Sequence, residues 1–369
     1  MAANQPTSQE RGARTPIRAF LDSGAPEGST DYTTVVIIHG WGWHSGSFKK
    51  LLQFAKQHNA RVVLVNRRDY PGSDPYTPKE LATAARLATT PDSPESAEEA
   101  EAFMRDRARE VYDFLADFVR RERIPRPQGN AGGLVVVGWS LGSVWITALL
   151  ANVRLFPETD VKLSEYVRRV ILYDTSYLCF GYAPPPGAYQ PLYDASLPDE
   201  ERVARFSVWI TGYYAHGDLT TQGPSALEFR NALADPAPSA TRMTPEDLAE
   251  TTYGPPQGPG GSEGLIARLC LVHGTLTRQK EGAFYPREPV EGASNWSGVE
   301  VRQLWCDRSV WEMPWCLKLF TEELEEARKA GKKPRDVVFV RFKGANHFAH
   351  WDLPEKTLKA FLGDETEVE

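Results

Sequence analysis

Cysteine is scarce, with four residues (Cys179, Cys270, Cys306 and Cys316) in a chain of 369. No two of them stand in a C-x-x-C pair, so neither a disulfide framework nor a zinc pattern is present, and free thiols are expected. Long apolar runs are missing as well. The first thirty residues hold no stretch resembling a signal peptide, and nothing later approaches the roughly 20 apolar residues that a bilayer span needs. Glu10 and Asp22 count against a transit peptide despite Arg11, Arg14 and Arg18, and Glu-Val-Glu at the end is not a peroxisomal address. A cytoplasmic protein with no membrane partner is the expectation. Positive charge is also in deficit: 42 basic residues face 49 acidic ones, a net charge of −7. With no basic run or stripe to follow phosphates, nucleic acid is excluded as a partner. The sequon at Asn295 would matter only in an exported chain and is read as chance.

What is present is core-forming material. The apolar fraction is 41%, enough for one large domain or two ordinary ones. Short β-branched runs recur at Tyr32–Gly40, Ala60–Asn66, Gly133–Gly138, Val167–Asp174, Val299–Cys306 and Val337–Phe342, each with the look of a buried parallel strand. Helical patterns lie between them at Gly46–Lys56, Ser96–Arg123 and Ser140–Val153. This alternation predicts an α/β fold, a mostly parallel sheet flanked by helices. The rhythm breaks between residues 177 and 297, where Pro184–Pro186 and Tyr253–Gly261 interrupt helical pieces, and then resumes. The expected organisation is a flexible segment 1–14, a core made of 15–176 and 298–369, and an inserted, largely helical lid at 177–297.

Gly138-Trp139-Ser140-Leu141-Gly142 fits G-x-S-x-G and sits between LVVV and SVWITALLAN, at a strand-to-helix turn. That is the setting of a nucleophile elbow, in which a strained serine exposes its hydroxyl and the flanking glycines avoid collision with strand and helix. A serine hydroxyl is a weak nucleophile until a base takes its proton and a third group orients that base. An oxyanion needs two backbone N–H groups, one of them from the residue after the serine, Leu141.

Together with the elbow, GANHFAHWDLPEK near the C-terminus and HGWGWHSGSF after the first strand resemble the α/β-hydrolase superfamily, in particular its lid-bearing ester hydrolases. The resemblance spans roughly residues 31–176 and 298–369. It implies His347 as the catalytic base, with His350 as a competitor three residues on. It places the acid at the end of a strand, for which Asp307 is preferred, Asp174 is the alternative, and Glu312 comes third. Trp41 would supply the second oxyanion N–H, with His39 and Gly40 shaping its loop. Trp43 and Trp139 would either line an apolar substrate cleft or pack beneath the elbow. Arg67, Arg68 and Asp69 are expected to be structural ion partners.

The function implied is cleavage of a carboxylic ester or lactone through an acyl-enzyme, with a small, apolar molecule as substrate and neither cofactor nor metal. Acyl transfer or a lyase reaction could use the same groups, and a non-catalytic ligand-binding protein could share the fold. Epoxide or haloalkane hydrolysis would need a carboxylate where Ser140 stands. The natural substrate and the oligomeric state are not encoded legibly.

Overall fold

The β-branched runs form the centre of one eight-stranded sheet in the computed structural model, which describes residues 15–258 and 260–369. The segment 1–14, expected to be flexible, lies outside the described residues. Strands β1 (Arg18–Asp22), β2 (Thr33–Ile38), β3 (Ala60–Asn66), β4 (Leu134–Trp139), β5 (Val167–Tyr173), β6 (Glu300–Cys306), β7 (Val337–Phe342) and β8 (Glu367–Val368) stand in the order β1-β3-β2-β4-β5-β6-β7-β8. All neighbours are parallel except β1, which runs antiparallel to β3 at one edge. Every residue of β2, β3 and β4 is buried, as a parallel sheet covered on both faces requires. The α/β fold is the one expected, and β2 to β7 coincide with the six runs read from the sequence.

The helix Pro94–Glu122 begins where Ser93 accepts from the Ser96 N–H and Pro94 occupies the first turn, and it buries a stripe that includes Phe103, Val111, Leu115 and Phe118. The helix Gly142–Asn152 is buried along most of its length directly behind the elbow. The pattern at Gly46–Lys56 folds less regularly, as a 3₁₀ turn Ser45–Leu51, one α turn Leu52–Ala55 and a second 3₁₀ turn Lys56–His58. Its serines contribute to this: Ser47 Oγ donates to His44 O at 2.9 Å, a local bond that competes with the helical ladder, and Ser45 Oγ is tied to Val65 O of β3 at 2.7 Å.

Between β5 and β6 the chain forms Asp199–Trp209, Pro245–Thr251, Ser262–Val272 and Thr275–Phe284 with short turns among them. Ser262–Val272 packs on Pro78–Leu87, and Thr275–Phe284 lies along Gly142–Asn152. No described helix is long and apolar enough to cross a membrane.

Candidate active site

The chain leaves β2 toward β3 on one side and later places β4 on the other, so the crevice at the carboxyl ends of β2 and β4 is a topological switch point, the place where open α/β sheets bind ligands. Ser140 follows β4 there. Its φ is 52°, a left-handed conformation that costs a non-glycine residue about 1–3 kcal/mol and marks the elbow. The neighbouring glycines are obligatory for want of space. A Cβ at Gly142 would lie 2.4 Å from Ile38 O, and one at Gly138 would lie 2.6 Å from Ile146 Cγ1.

His347 arrives from the loop after β7, and both it and Asp174 are almost completely buried. Trp139 joins this histidine to the elbow: its ring packs on the imidazole at 4.8 Å between centroids, and its indole N–H donates to His347 O at 3.2 Å. The carboxylate that meets the imidazole belongs to Asp174, whose Oδ2 lies 2.6 Å from His347 Nδ1. Asp174 is held from two further directions, by the Cys306 N–H at 2.8 Å and by the Ser309 hydroxyl. With Nδ1–H donated to the carboxylate, Nε2 of His347 is left as the proton acceptor.

Asp307, the residue preferred as acid, does not meet His347, and that expectation is corrected. Its Oδ2 takes Arg341 Nη2 at 2.8 Å and Nε at 3.0 Å, while Oδ1 takes the Gly344 N–H at 2.7 Å, so it braces the turn that leads into the histidine loop. Glu312 is also engaged elsewhere. It is buried and accepts from Ser176 Oγ at 2.7 Å and Gln190 Nε2 at 2.5 Å, and burial pushes its carboxyl up from the usual range. His350 stacks on Phe48 with centroids 3.9 Å apart, and burial pushes its imidazole well below the ordinary value, which makes it a neutral packing residue.

The loop after β2 passes against Ser140, since a Cβ at Gly40 would come within 2.9 Å of Ser140 Cβ. His39 is buried and neutral. Its Nε2 accepts the Arg67 N–H at 3.1 Å, so its Nδ1–H donates to Gly40 O at 2.9 Å, and burial with the nearby Arg67 charge pushes its value well down. Arg67 Nη2 donates to the same carbonyl at 2.7 Å. A trans peptide directs its N–H opposite to its C=O, so two donors on Gly40 O fix where the Trp41 N–H points. Among the described residues no acceptor takes the Trp41 or the Leu141 N–H.

Trp43 and Trp139 take the second of the two roles foreseen for them. Trp43 is 3% exposed and packs on Phe348 at 4.8 Å, and Trp139 is 1% exposed against Phe48, Phe348 and His350, so both lie beneath the elbow and the cleft-lining role is corrected. Trp41 is the partly exposed indole, edge-on to Phe206 at 5.4 Å. A recess of about 370 Å³ opens between Tyr177, Tyr189, Gln190 and Trp311, on the loops that follow β5 and β6.

Sequence reasoning foresaw Arg67 and Arg68 as ion partners but not with whom. Arg68 bonds Glu80 at 2.6 Å and Glu110 at 2.9 Å, whereas Arg67 pairs with Glu263 from the stretch between β5 and β6. Asn346 was missed altogether. Its Nδ2 donates to Thr211 O at 2.7 Å and Ser239 Oγ at 2.9 Å, and its Oδ1 takes the Phe348 N–H at 2.9 Å, tying the histidine loop to the inserted stretch. Its place directly before His347 was the available signal.

One mostly parallel sheet, with a strained serine after a central strand and a buried histidine–aspartate pair whose histidine packs on the residue before that serine, has the architecture of an α/β-hydrolase-type protein. The chain belongs to the alpha/beta hydrolase family, whose model matches residues 35–360. No curated protein matches it. Among solved structures it is similar to a bromoperoxidase from Bacillus anthracis, at 14% identity over 93% of this chain and 94% of that one, with a TM-score of 0.45. It is likewise similar to the peroxisomal alpha-beta-hydrolase Lpx1 from Saccharomyces cerevisiae, at 12% identity, 91% and 78% coverage and a TM-score of 0.46. A monoacylglycerol lipase from Paleococcus ferrophilus matches at 15% identity, 93% and 96% coverage and a TM-score of 0.42.

Proposed function

We propose that this protein is a serine hydrolase that cleaves a carboxylic ester or lactone through an acyl-enzyme. Ser140 Oγ attacks the carbonyl carbon while His347 Nε2 takes its proton. Asp174 holds the imidazole in the Nδ1–H tautomer and stabilises the imidazolium that forms. The N–H groups of Trp41 and Leu141 receive the oxyanion, and His347 returns the proton to the leaving alcohol. Water then repeats the sequence on the acyl-enzyme. The observation that carries this reading is the buried His347 Nδ1–Asp174 Oδ2 bond of 2.6 Å, with His347 packed on Trp139, the residue before a left-handed Ser140.

In this reading the stretch 177–297 acts as the lid and the substrate is a small, apolar molecule. The reaction uses no cofactor, and a cytoplasmic setting suits a small-molecule substrate. The test is turnover of short p-nitrophenyl esters together with labelling by a fluorophosphonate. Ser140→Ala should lower kcat by several orders of magnitude, about 10³–10⁶, and abolish labelling, because the members of such a unit act together. A Ser140→Ala variant that keeps wild-type turnover would refute the mechanism.

A further inference from the structure

We infer that the buried Arg67–Glu263 pair is a positioning device for the oxyanion hole, through which the inserted stretch sets the rate of the chemical step; the inference rests on the serine-hydrolase reading above. Arg67 directly follows β3 and is 3% exposed, and Glu263, in the first turn of Ser262–Val272, is also 3% exposed. They form an ion pair in which neither group reaches water. The nitrogen that meets Glu263 is the one that serves the site, Nη2 also donating to Gly40 O at 2.7 Å, and the guanidinium carbon lies 4.2 Å from the ring centre of Trp145 and 5.3 Å from that of Tyr70. Trp145 stands on the helix that starts at the elbow.

The same corner holds the next peptide of the loop. The Gly42 N–H donates to the Tyr70 hydroxyl at 3.4 Å, and Gln257 Nε2, also from the inserted stretch, reaches that hydroxyl at 3.5 Å. The Gly40–Trp41–Gly42 segment is thus clamped by Arg67 and Tyr70, and each of these is met by a residue from between β5 and β6.

A buried guanidinium stripped of its carboxylate is strongly unfavourable and moves toward water or another acceptor. Any such movement withdraws Nη2 from Gly40 O. The Gly40–Trp41 peptide is then held by His39 alone, and the Trp41 N–H loses its fixed direction. Ground-state substrate scarcely uses that N–H, whereas the tetrahedral oxyanion depends on it. The effect therefore falls on kcat and on transition-state analogues, and hardly on KM.

The experiment compares wild type, Glu263→Gln, Arg67→Lys and the double variant Arg67→Met/Glu263→Leu. It measures kcat and KM on p-nitrophenyl butyrate, affinity for phenylboronic acid as a tetrahedral analogue, thermal melting, and fluorophosphonate labelling. Glu263→Gln should lose about 100-fold in kcat, with a parallel loss for phenylboronic acid and KM within about threefold, as expected for one oxyanion donor. The double variant removes both charges and the uncompensated burial, so it remains folded, yet its kcat stays low because Gly40 O has lost Nη2. A folded double variant with wild-type kcat would overturn the inference and leave a merely structural ion pair. If Glu263→Gln does not fold, the double variant and Arg67→Lys carry the test. Wild-type protein that the fluorophosphonate does not label would overturn the hydrolase reading itself, and with it this inference.

Discussion

Replacing Asp174 by asparagine tests the histidine–acid assignment more sharply than any other change. The native carboxylate accepts three donors: His347 Nδ1–H and the Ser309 hydroxyl at Oδ2, and the Cys306 N–H at Oδ1. An asparagine has one accepting oxygen and one NH₂. With NH₂ toward His347, two donors face each other, and the imidazole must adopt the Nε2–H tautomer, which cannot take the proton of Ser140. With NH₂ toward Cys306, the tautomer survives, but a buried backbone N–H loses its acceptor at about 1–3 kcal/mol. The second orientation also lacks the negative charge that stabilises the imidazolium. Either way kcat should fall about 10³–10⁴-fold, which is about 4–5.5 kcal/mol at about 1.4 kcal/mol per tenfold. The paired control is Asp307→Asn, whose partner Arg341 has a half-exposed side chain, so it should change kcat less than about twofold and stability by about 1 kcal/mol or less. Steady-state kinetics on a p-nitrophenyl ester, with a urea melt of each variant, decides. Impairment confined to Asp307→Asn would refute the reasoning.

Gly142→Ala should abolish turnover and destabilise the fold by about 1–3 kcal/mol, because its Cβ would meet Ile38 O at 2.4 Å and His39 O at 2.6 Å; a denaturant midpoint unchanged from wild type would contradict this. Stability should also depend on pH through His44, which burial pushes down to about 4 from an unfolded value near 6.5. The unfolded chain binds the extra proton between those values, so this contribution is complete above pH 6.5 and is lost as pH falls toward 4, on the order of 3 kcal/mol at most. His44 also accepts the Gly46 N–H at 3.1 Å as a turn cap, and His44→Asn keeps a capping oxygen while removing the titration. Urea midpoints at pH 7.5 and 5 should therefore lie closer together in His44→Asn than in wild type, and an unchanged gap would count against the assignment.

The parts of the fold legible in the sequence were those where burial is uniform. The strands β2, β3 and β4 carry unbroken apolar or β-branched runs because both faces are covered. The edge strand β1, with the sequence RAFLD and several exposed positions, offers no such run and passed unnoticed. Ser140 was legible because the glycines of its turn are imposed by close approach, and that constraint leaves a pattern. The clamp on Gly40 was not, because Arg67 and Glu263 are far apart in the chain, and nothing in either neighbourhood announces the other. For Asp307 a signal did exist. The ladder pairs Trp305 with Arg341 and Cys306 with Phe342, so an aspartate at the end of β6 emerges beside an arginine one step back on β7. A carboxylate with a guanidinium waiting at its strand end is spoken for.

The deeper reason that two aspartates looked alike is that the sheet treats them alike up to the last backbone step. At the end of each strand the next residue donates its N–H to the neighbouring strand: Ser140 N–H to Tyr173 O at 2.9 Å, Asp174 N–H to Leu304 O at 2.7 Å, and Asp307 N–H to Phe342 O at 3.2 Å. What separates them is handedness. Ser140 at φ 52° and Asp174 at φ 49° both turn left-handed on leaving β4 and β5, and Asp307 does not. Aspartate enters that region more readily than most residues, so the turn is available to either position without a glycine to mark it. Ser140 and Asp174, the proposed nucleophile and the proposed orienter of its base, are thus held by the same device on adjacent strands, a hydrogen-bonded strand end followed by one strained residue. A strain of about 1–3 kcal/mol at each is sustained by the ladder beneath it. Substitutions that weaken the β4–β5 or β5–β6 pairing at these ends should therefore impair both groups together, even without touching either side chain.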